Sequence, residues 1–216
     1  MIEFFFDCSS PWTWLAFENI QPLAAEFGET LVWRPILVGG IFNTINPSVY
    51  QSRERPVPAK AQYMLKDLAD WARVAGLKIK MPPTVFPVNS VKAMRAALVL
   101  EPRGLLVPFA REVFRLYWSE DADISKDEVL ARALAKVGAE PAEVMAAIAE
   151  PQIKEKLRAN TDEVMARGGF GSPTIFVDGD DMYFGNDRLP LVRAALEGRE
   201  SPTGKGAERR RASATA

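Results

Sequence analysis

Three short stretches combine residue types that can do chemistry at the ends of strands and helices. Ser9-Ser10-Pro11-Trp12-Thr13 sets a hydroxyl residue before a proline suited to the first turn of a helix. Backbone N–H groups at a helix start attract anions and stabilise a thiolate, and a small hydroxyl there adds one more donor. Taken alone, Ser10 reads first as a helix cap. Gly171-Ser172-Pro173-Thr174 places a proline at the entry to a strand. That is a setting for a cis bond leaving the Ser172 backbone free to pair with an extended peptide, or for a plain turn. Gly185-Asn186-Asp187-Arg188 offers an amide and a carboxylate. They either cap the following helix or meet the amino and carboxylate groups of a ligand.

Other chemistries are excluded by composition. The 216 residues contain no histidine, which removes Ser-His-Asp and Cys-His catalysis, histidine bases and nearly every catalytic zinc site. Cys8 is the single cysteine, so intramolecular disulfides, CxxC redox chemistry and cysteine-rich metal sites are also out, and no metal site is expected. With 27 basic and 28 acidic residues the formal net charge is −1, which gives no electrostatic argument for nucleic acid or an anionic membrane. No run of about 18 apolar residues is present, and Met1 to Asp7 lacks the basic region of a signal peptide. A soluble cytoplasmic protein is expected.

The elements that must position the three stretches follow from periodicity. Ile2 to Phe6 is a continuous apolar run that reads as a buried strand of a parallel sheet. A helix opens at Pro11 and ends at Gly28, and Thr30 to Val38 reads as a second strand. Residues 39–58 read as irregular. Helical patterns then cover Ala59 to Ala75, with Tyr63, Leu65, Leu68, Trp71 and Ala72 available for burial, followed by Val91 to Leu100, Leu105 to Trp118, Lys126 to Val137 and Ala142 to Ala149. Ser125 and Asp127 are candidate caps for the fourth of these helices. The chain returns to α/β with a helix over Ile153 to Arg167, strands Thr174 to Val177 and Met182 to Phe184, and a helix from Leu189 to Leu196. The order is strand-helix-strand, a helical stretch, then helix-strand-strand-helix. The expected fold class is α/β, a thioredoxin-like βαβ…αββα fold with a large all-helical insertion. Expected boundaries are 1–40 plus 156–199 for the thioredoxin-like part, 41–155 for the insertion and 200–216 for a disordered tail.

Together the three stretches resemble a specific family. Asp7-Cys8-Ser9-Ser10-Pro11-Trp12 is similar to the strand-to-helix turn of the DsbA-like kappa-class glutathione transferases and 2-hydroxychromene-2-carboxylate isomerases. Phe170-Gly171-Ser172-Pro173-Thr174 resembles that family's cis-proline motif, and Phe184-Gly185-Asn186-Asp187-Arg188-Leu189 its glutathione-anchoring motif. Arg34-Pro35, Gly40-Ile41-Phe42 and Pro58 to Tyr63 also match, and Phe86-Pro87-Val88-Asn89-Ser90 leans toward the isomerases. The resemblance implies glutathione as cofactor. Ser10 stands where DsbA-like oxidoreductases carry the reactive cysteine and Thr13 where they carry the second, so Ser10 is implied to donate to the glutathione thiolate. Ser172, beside Pro173, is implied to pair with the cysteinyl part, and Asn186 and Asp187 to hold the γ-glutamyl end. Asn46 is a further implied contact.

Lys60 and Asn89 lie in family-like segments, and Lys60 is a candidate for holding a carboxylate or for an ordinary solvated helix face. Trp12, Trp14, Phe42, Tyr63 and Trp118 are candidates for an aromatic pocket wall, or for core. Cys8 reads as a buried strand residue. The implied activity is a glutathione-dependent isomerase acting on a small aromatic carboxylate and interconverting 2-hydroxychromene-2-carboxylate with trans-o-hydroxybenzylidenepyruvate or a related intermediate. A homodimer is implied, with no nucleic-acid or membrane partner. A kappa-class transferase and a non-catalytic glutathione- or peptide-binding module are the alternatives.

Overall fold

The structure is a computed structural model and describes residues 1–200, without the side chains of residues 199 and 200. Strand β1 (Ile2–Phe6) is followed by α1 (Pro11–Glu26) and β2 (Leu31–Pro35). Seven helices come next: α2 (Val38–Thr44), α3 (Ser48–Glu54), α4 (Pro58–Val74), α5 (Val91–Leu100), α6 (Leu106–Phe114), α7 (Asp127–Lys136) and α8 (Pro141–Ala147). Helix α9 (Pro151–Ala166), strands β3 (Thr174–Val177) and β4 (Asp181–Phe184) and helix α10 (Leu189–Glu200) complete the described chain.

The sheet order is β2-β1-β3-β4. The parallel sheet expected for β1 is instead mixed: β1 runs parallel to β2, with Phe4 opposite Trp33, but antiparallel to β3, with Phe4 opposite Ile175. The α1 crossover brings β2 back parallel to β1, whereas β3 enters from α9 in the opposite direction and pairs antiparallel with β1, and the β3–β4 hairpin adds a second antiparallel pair at the edge. Both faces of β1 are covered, which is why the run is apolar except at Glu3, whose carboxylate is paired with Arg34 and Arg167. Successive side chains point to opposite faces. Phe4 and Phe6 pack into the large core with Phe17, Ile20 and Trp14 of α1, and Phe5 packs on the other side with Ile41, Val164 and Phe176.

Pro11 is the first residue of α1, and Gly28 beyond its end adopts φ 61°, a left-handed conformation that costs a glycine little. Residues 39–58, expected to be irregular, instead contain α2 and α3. Helix α4 buries only Leu68 and Ala72, against Leu15 of α1, while Tyr63 and Leu65 are exposed and Trp71 is half-buried. The expected Leu105–Trp118 helix is α6 continued by a wider π-type turn over Arg115–Ser119. Neither Ser125 nor Asp127 caps α7. Its cap is Lys126, which uses no side-chain bond, and the Ser125 hydroxyl and N–H donate to Asp123. Helix α9 is continuous through residues 155 and 156, so a domain border there would cut a helix. Most of the expected tail, 201–216, lies outside the described residues. Among the described residues no helix is long and apolar enough to cross a membrane.

Candidate active site

Four segments meet at the C-terminal end of β1. Ser10 caps α1: its backbone is extended (φ −113°, ψ 124°), and its Oγ accepts the Thr13 N–H at 3.3 Å. The same hydroxyl donates to the Ser172 carbonyl at 3.3 Å. The expected cap is therefore present, and the same oxygen makes a link to Ser172 that was not expected. The Ser172–Pro173 peptide is cis. Ser172 Oγ accepts the Asp7 N–H at 2.9 Å and shares a 2.8 Å hydrogen bond with Thr13 Oγ1, and all three of these residues are buried. The loop before β3 is thus tied to β1 and to the first turn of α1. In that turn Pro11 has no N–H and Ser10 accepts from both Thr13 and Trp14, so the Trp12 N–H is the one left without an acceptor among the described residues.

A cavity of about 940 Å³ opens beside this junction, at the upper end of the size range for small-molecule sites. Ser10, Trp12, Asn46, Lys60, Asn89 and Ser172 all line it. Asn46 donates through Nδ2 to the Phe170 carbonyl at 2.9 Å, and Asn89 Oδ1 accepts the Val91 N–H at 3.0 Å. Pro173, Asn186 and Asp187 are not in its wall. Pro173 immediately precedes β3, and Asn186 and Asp187 follow β4: Gly185 N–H donates to the Pro173 carbonyl at 3.2 Å, which sets the following turn next to Ser172–Pro173. Asn186 is 2% exposed, its Oδ1 accepts from Asn19 Nδ2 at 3.1 Å, and its own Nδ2 has no acceptor among the described residues. Asp187 is paired with Arg188 at 2.7 Å. Neither Asn186 nor Asp187 makes a side-chain cap at its turn, whose cap position is Gly185.

Of the candidate wall aromatics only Trp12 and Phe42 reach the cavity. Trp14 stacks on Phe114 in the core, with ring centroids 6.1 Å apart and planes 3° apart, and Tyr63 points outward. Trp118 is buried and donates its Nε1–H to the Cys8 carbonyl at 3.0 Å. Cys8 is the buried residue expected: burial first, and the adjacent Asp7 charge second, push its thiol well above the usual range, so it supplies no thiolate.

Two site residues were not singled out from sequence. Asp7 lines the cavity yet is 1% exposed. Its Oδ1 accepts the Ser9 N–H and its Oδ2 the Val38 N–H, each at 2.9 Å, so it joins the α1 loop to the start of α2. Burial raises its pKa above the ordinary value, against these hydrogen bonds and one from Ser90. The signal available was a lone carboxylate directly after an apolar strand. Arg53 of α3 also lines the cavity, and nothing in its local sequence marked it.

The family of DSBA-like thioredoxin domains matches residues 1–197. The chain belongs to that family. Within it, the chain is 31% identical to glutathione S-transferase kappa 1 of Rattus norvegicus over 91% of this chain and 90% of the relative. It is 26% identical to 2-hydroxychromene-2-carboxylate isomerase of Pseudomonas putida over 91% of this chain and 94% of that protein. A solved structure of a 2-hydroxychromene-2-carboxylate isomerase superimposes with a TM-score of 0.77 at 25% identity, covering 91% of this chain and 94% of the other. The DSBA-like fold and the resemblance to this isomerase and transferase group are therefore shown. In this DSBA-like chain the loop-to-helix junction carries Ser10 and Thr13 and no cysteine pair, so the site has no dithiol of its own.

Proposed function

We propose that the protein is a glutathione-dependent isomerase of small aromatic carboxylates, interconverting 2-hydroxychromene-2-carboxylate and trans-o-hydroxybenzylidenepyruvate or a related conjugated intermediate. The observation that carries this reading is the Ser10 hydroxyl, held at the start of α1 on the wall of a large cavity and within 3.3 Å of the Ser172 carbonyl. The residues present fit glutathione: a hydroxyl and a helix N-terminus for a thiolate, a Ser172 backbone beside it, and a buried Asn186 Nδ2 lacking an acceptor among the described residues. Bound glutathione would supply a thiolate nucleophile that adds to a conjugated double bond and departs again, without net redox change.

Each residue has one task in this reading. Ser10 turns its O–H from the Ser172 carbonyl to the thiolate. The Ser172 backbone, beside Pro173, pairs with the cysteinyl unit. Asn186 and Asp187 hold the γ-glutamyl end, Asp187 facing its ammonium, and Asn46 borders the same ligand. Lys60 and Asn89 lie on the wall available to the substrate, with Trp12 as an apolar surface. The N-terminus of α1, with the Trp12 N–H, adds a favourable field for the anion.

A second reading is a kappa-class transferase, favoured by the 31% identity to the Rattus norvegicus protein. It uses the same residues but releases glutathione bound to the product. The test incubates the protein with glutathione and trans-o-hydroxybenzylidenepyruvate, following both the ring-closed product and free thiol. Interconversion at constant thiol is the expected result. Thiol consumption would establish the transferase, and glutathione binding without turnover would leave a binding module. Absence of both binding and turnover would overturn the glutathione reading altogether.

A further inference from the structure

The charged residues of the cavity wall are Asp7, Arg53, Arg55 and Lys60. Among the described residues the only acid of this wall is the buried Asp7, whose oxygens are already engaged, and none of the three cations pairs with a carboxylate. Arg53 is the one held in place. Its guanidinium carbon lies 5.0 Å from the ring centre of Phe86 and 6.0 Å from those of Phe42 and Tyr50. All three rings line the cavity, and Phe42 and Tyr50 meet edge to face at 6.1 Å. Tyr50 and Arg53 lie three residues apart on α3, hence on one face of the helix.

Packing against ring faces orients a guanidinium while leaving its in-plane N–H donors for an acceptor. Such a cation, fixed among aromatics and lacking its own counter-ion, is already arranged for a ligand that brings both an anion and a flat apolar body. We infer that Arg53, with Phe42, Tyr50 and Phe86, forms an anion subsite that selects planar ligands bearing a carboxylate. The subsite is built from α2, α3 and the loop before α5, apart from the α1 and Ser172 wall that carries Ser10. The inference rests on the reading of this cavity as the place where the aromatic substrate binds.

The test is equilibrium binding of 2-naphthoate and its neutral isostere 2-naphthamide, without glutathione, to wild type, Arg53→Gln and Arg53→Lys. Wild type should prefer the anion. Arg53→Gln should bind naphthoate about tenfold more weakly, the lower end for a charged hydrogen bond because Arg53 reaches solvent. Naphthamide should bind as before, which also reports an intact cavity. Arg53→Lys keeps the charge but loses the planar fork, and should fall between the two. No naphthoate binding to wild type would overturn the subsite. So would naphthoate affinity unchanged in Arg53→Gln, or an equal loss for both ligands, which would assign Arg53 to packing alone. Because glutathione is absent, these outcomes are separate from failure of the thiolate chemistry, which is read by titrating the bound thiol.

Discussion

Replacing Ser10 with alanine separates the electrostatic reading from a purely structural one. The hydroxyl makes two 3.3 Å contacts, one as the α1 cap and one to the Ser172 carbonyl. Losing a cap costs about 1 kcal/mol, a fall in Tm of about 2–4 °C for a chain of this size. The fold should therefore survive. A hydrogen bond to a charged group is worth about 1.5–3 kcal/mol, equivalent to about 1–2 pKa units. The α1 N-terminus, retained in the variant, contributes about 0.3–1 kcal/mol. Starting from a free thiol near 8.5, bound glutathione should titrate at roughly 6–7 in wild type and near 8 in Ser10→Ala. Turnover follows less steeply, because a more basic thiolate is also the better nucleophile, with a Brønsted coefficient of about 0.4–0.5. Well below both pKa values the variant should lose roughly 3–15-fold, and the deficit should vanish or reverse above pH 9 or so. The assay is ultraviolet thiolate absorbance of the glutathione complex against pH, paired with rates at the acid and alkaline ends. An unmoved thiol pKa, or the same loss at every pH, would refute the assigned role.

Three further predictions concern the groups that hold the site. Asp7→Asn turns one carboxylate oxygen into an N–H₂ that faces the Ser9 or Val38 N–H, at a cost of about 1–3 kcal/mol at pH 7 by urea denaturation. Because burial raises the Asp7 pKa, its contribution in wild type is fully present below about pH 3.9 and is lost as pH rises through the folded value; a gap between wild type and Asp7→Asn that widens with rising pH would contradict this. Glu3 is buried in β1, and Arg167 and Arg34 hold its pKa below the usual value despite the opposing effect of burial. Its contribution is present above about pH 4.3 and lost as pH falls through the folded value, so Glu3→Gln should cost about 3 kcal/mol near neutrality and little in acid. Thr13→Val deletes the 2.8 Å bond to Ser172 Oγ. About 1–2 kcal/mol of stability should go, with weaker glutathione binding in calorimetry but an unchanged thiol pKa.

How much of this was legible in the chain depends on how many segments define each feature. Ser10 and Pro11 announce the start of α1 because cap and first-turn preferences are local. The turn around Pro173 and the β3–β4 hairpin were readable for the same reason. Helices α2 and α3 were not. Gly39 and Gly40 argue against helix, and α2 is held by distant partners: Ile41 packs with Phe5 and Val164, and the Leu37 N–H donates to Thr161 Oγ1 at 3.0 Å. In α4 the apolar spacing suggested a broad buried face. Only the part over Leu15 is covered, which leaves Tyr63 62% exposed, since periodicity states which residues share a face and not what lies opposite it.

The same distinction runs through the site. Ser10, Ser172 and Asn186 stand in local motifs. Asp7 and Arg53 gain meaning only when remote segments converge, Asp7 on Val38 and Ser90, and Arg53 on rings at positions 42, 50 and 86. This has a consequence for how the chain divides its labour. The local motifs belong to the strand-to-helix junction and the segments flanking β3 and β4, where a thiolate would be bound and stabilised. The convergent residues are set largely by α2, α3 and the loop before α5, where the electrophile would be chosen. Substitutions among Phe42, Tyr50, Arg53 and Phe86 should therefore change which substrate is accepted while the thiol pKa stays constant, whereas substitutions at Ser10 should do the reverse. Asp7 bridges the two halves, accepting from Ser9 on one side and Val38 on the other, and is the position where a single change should disturb both readouts together.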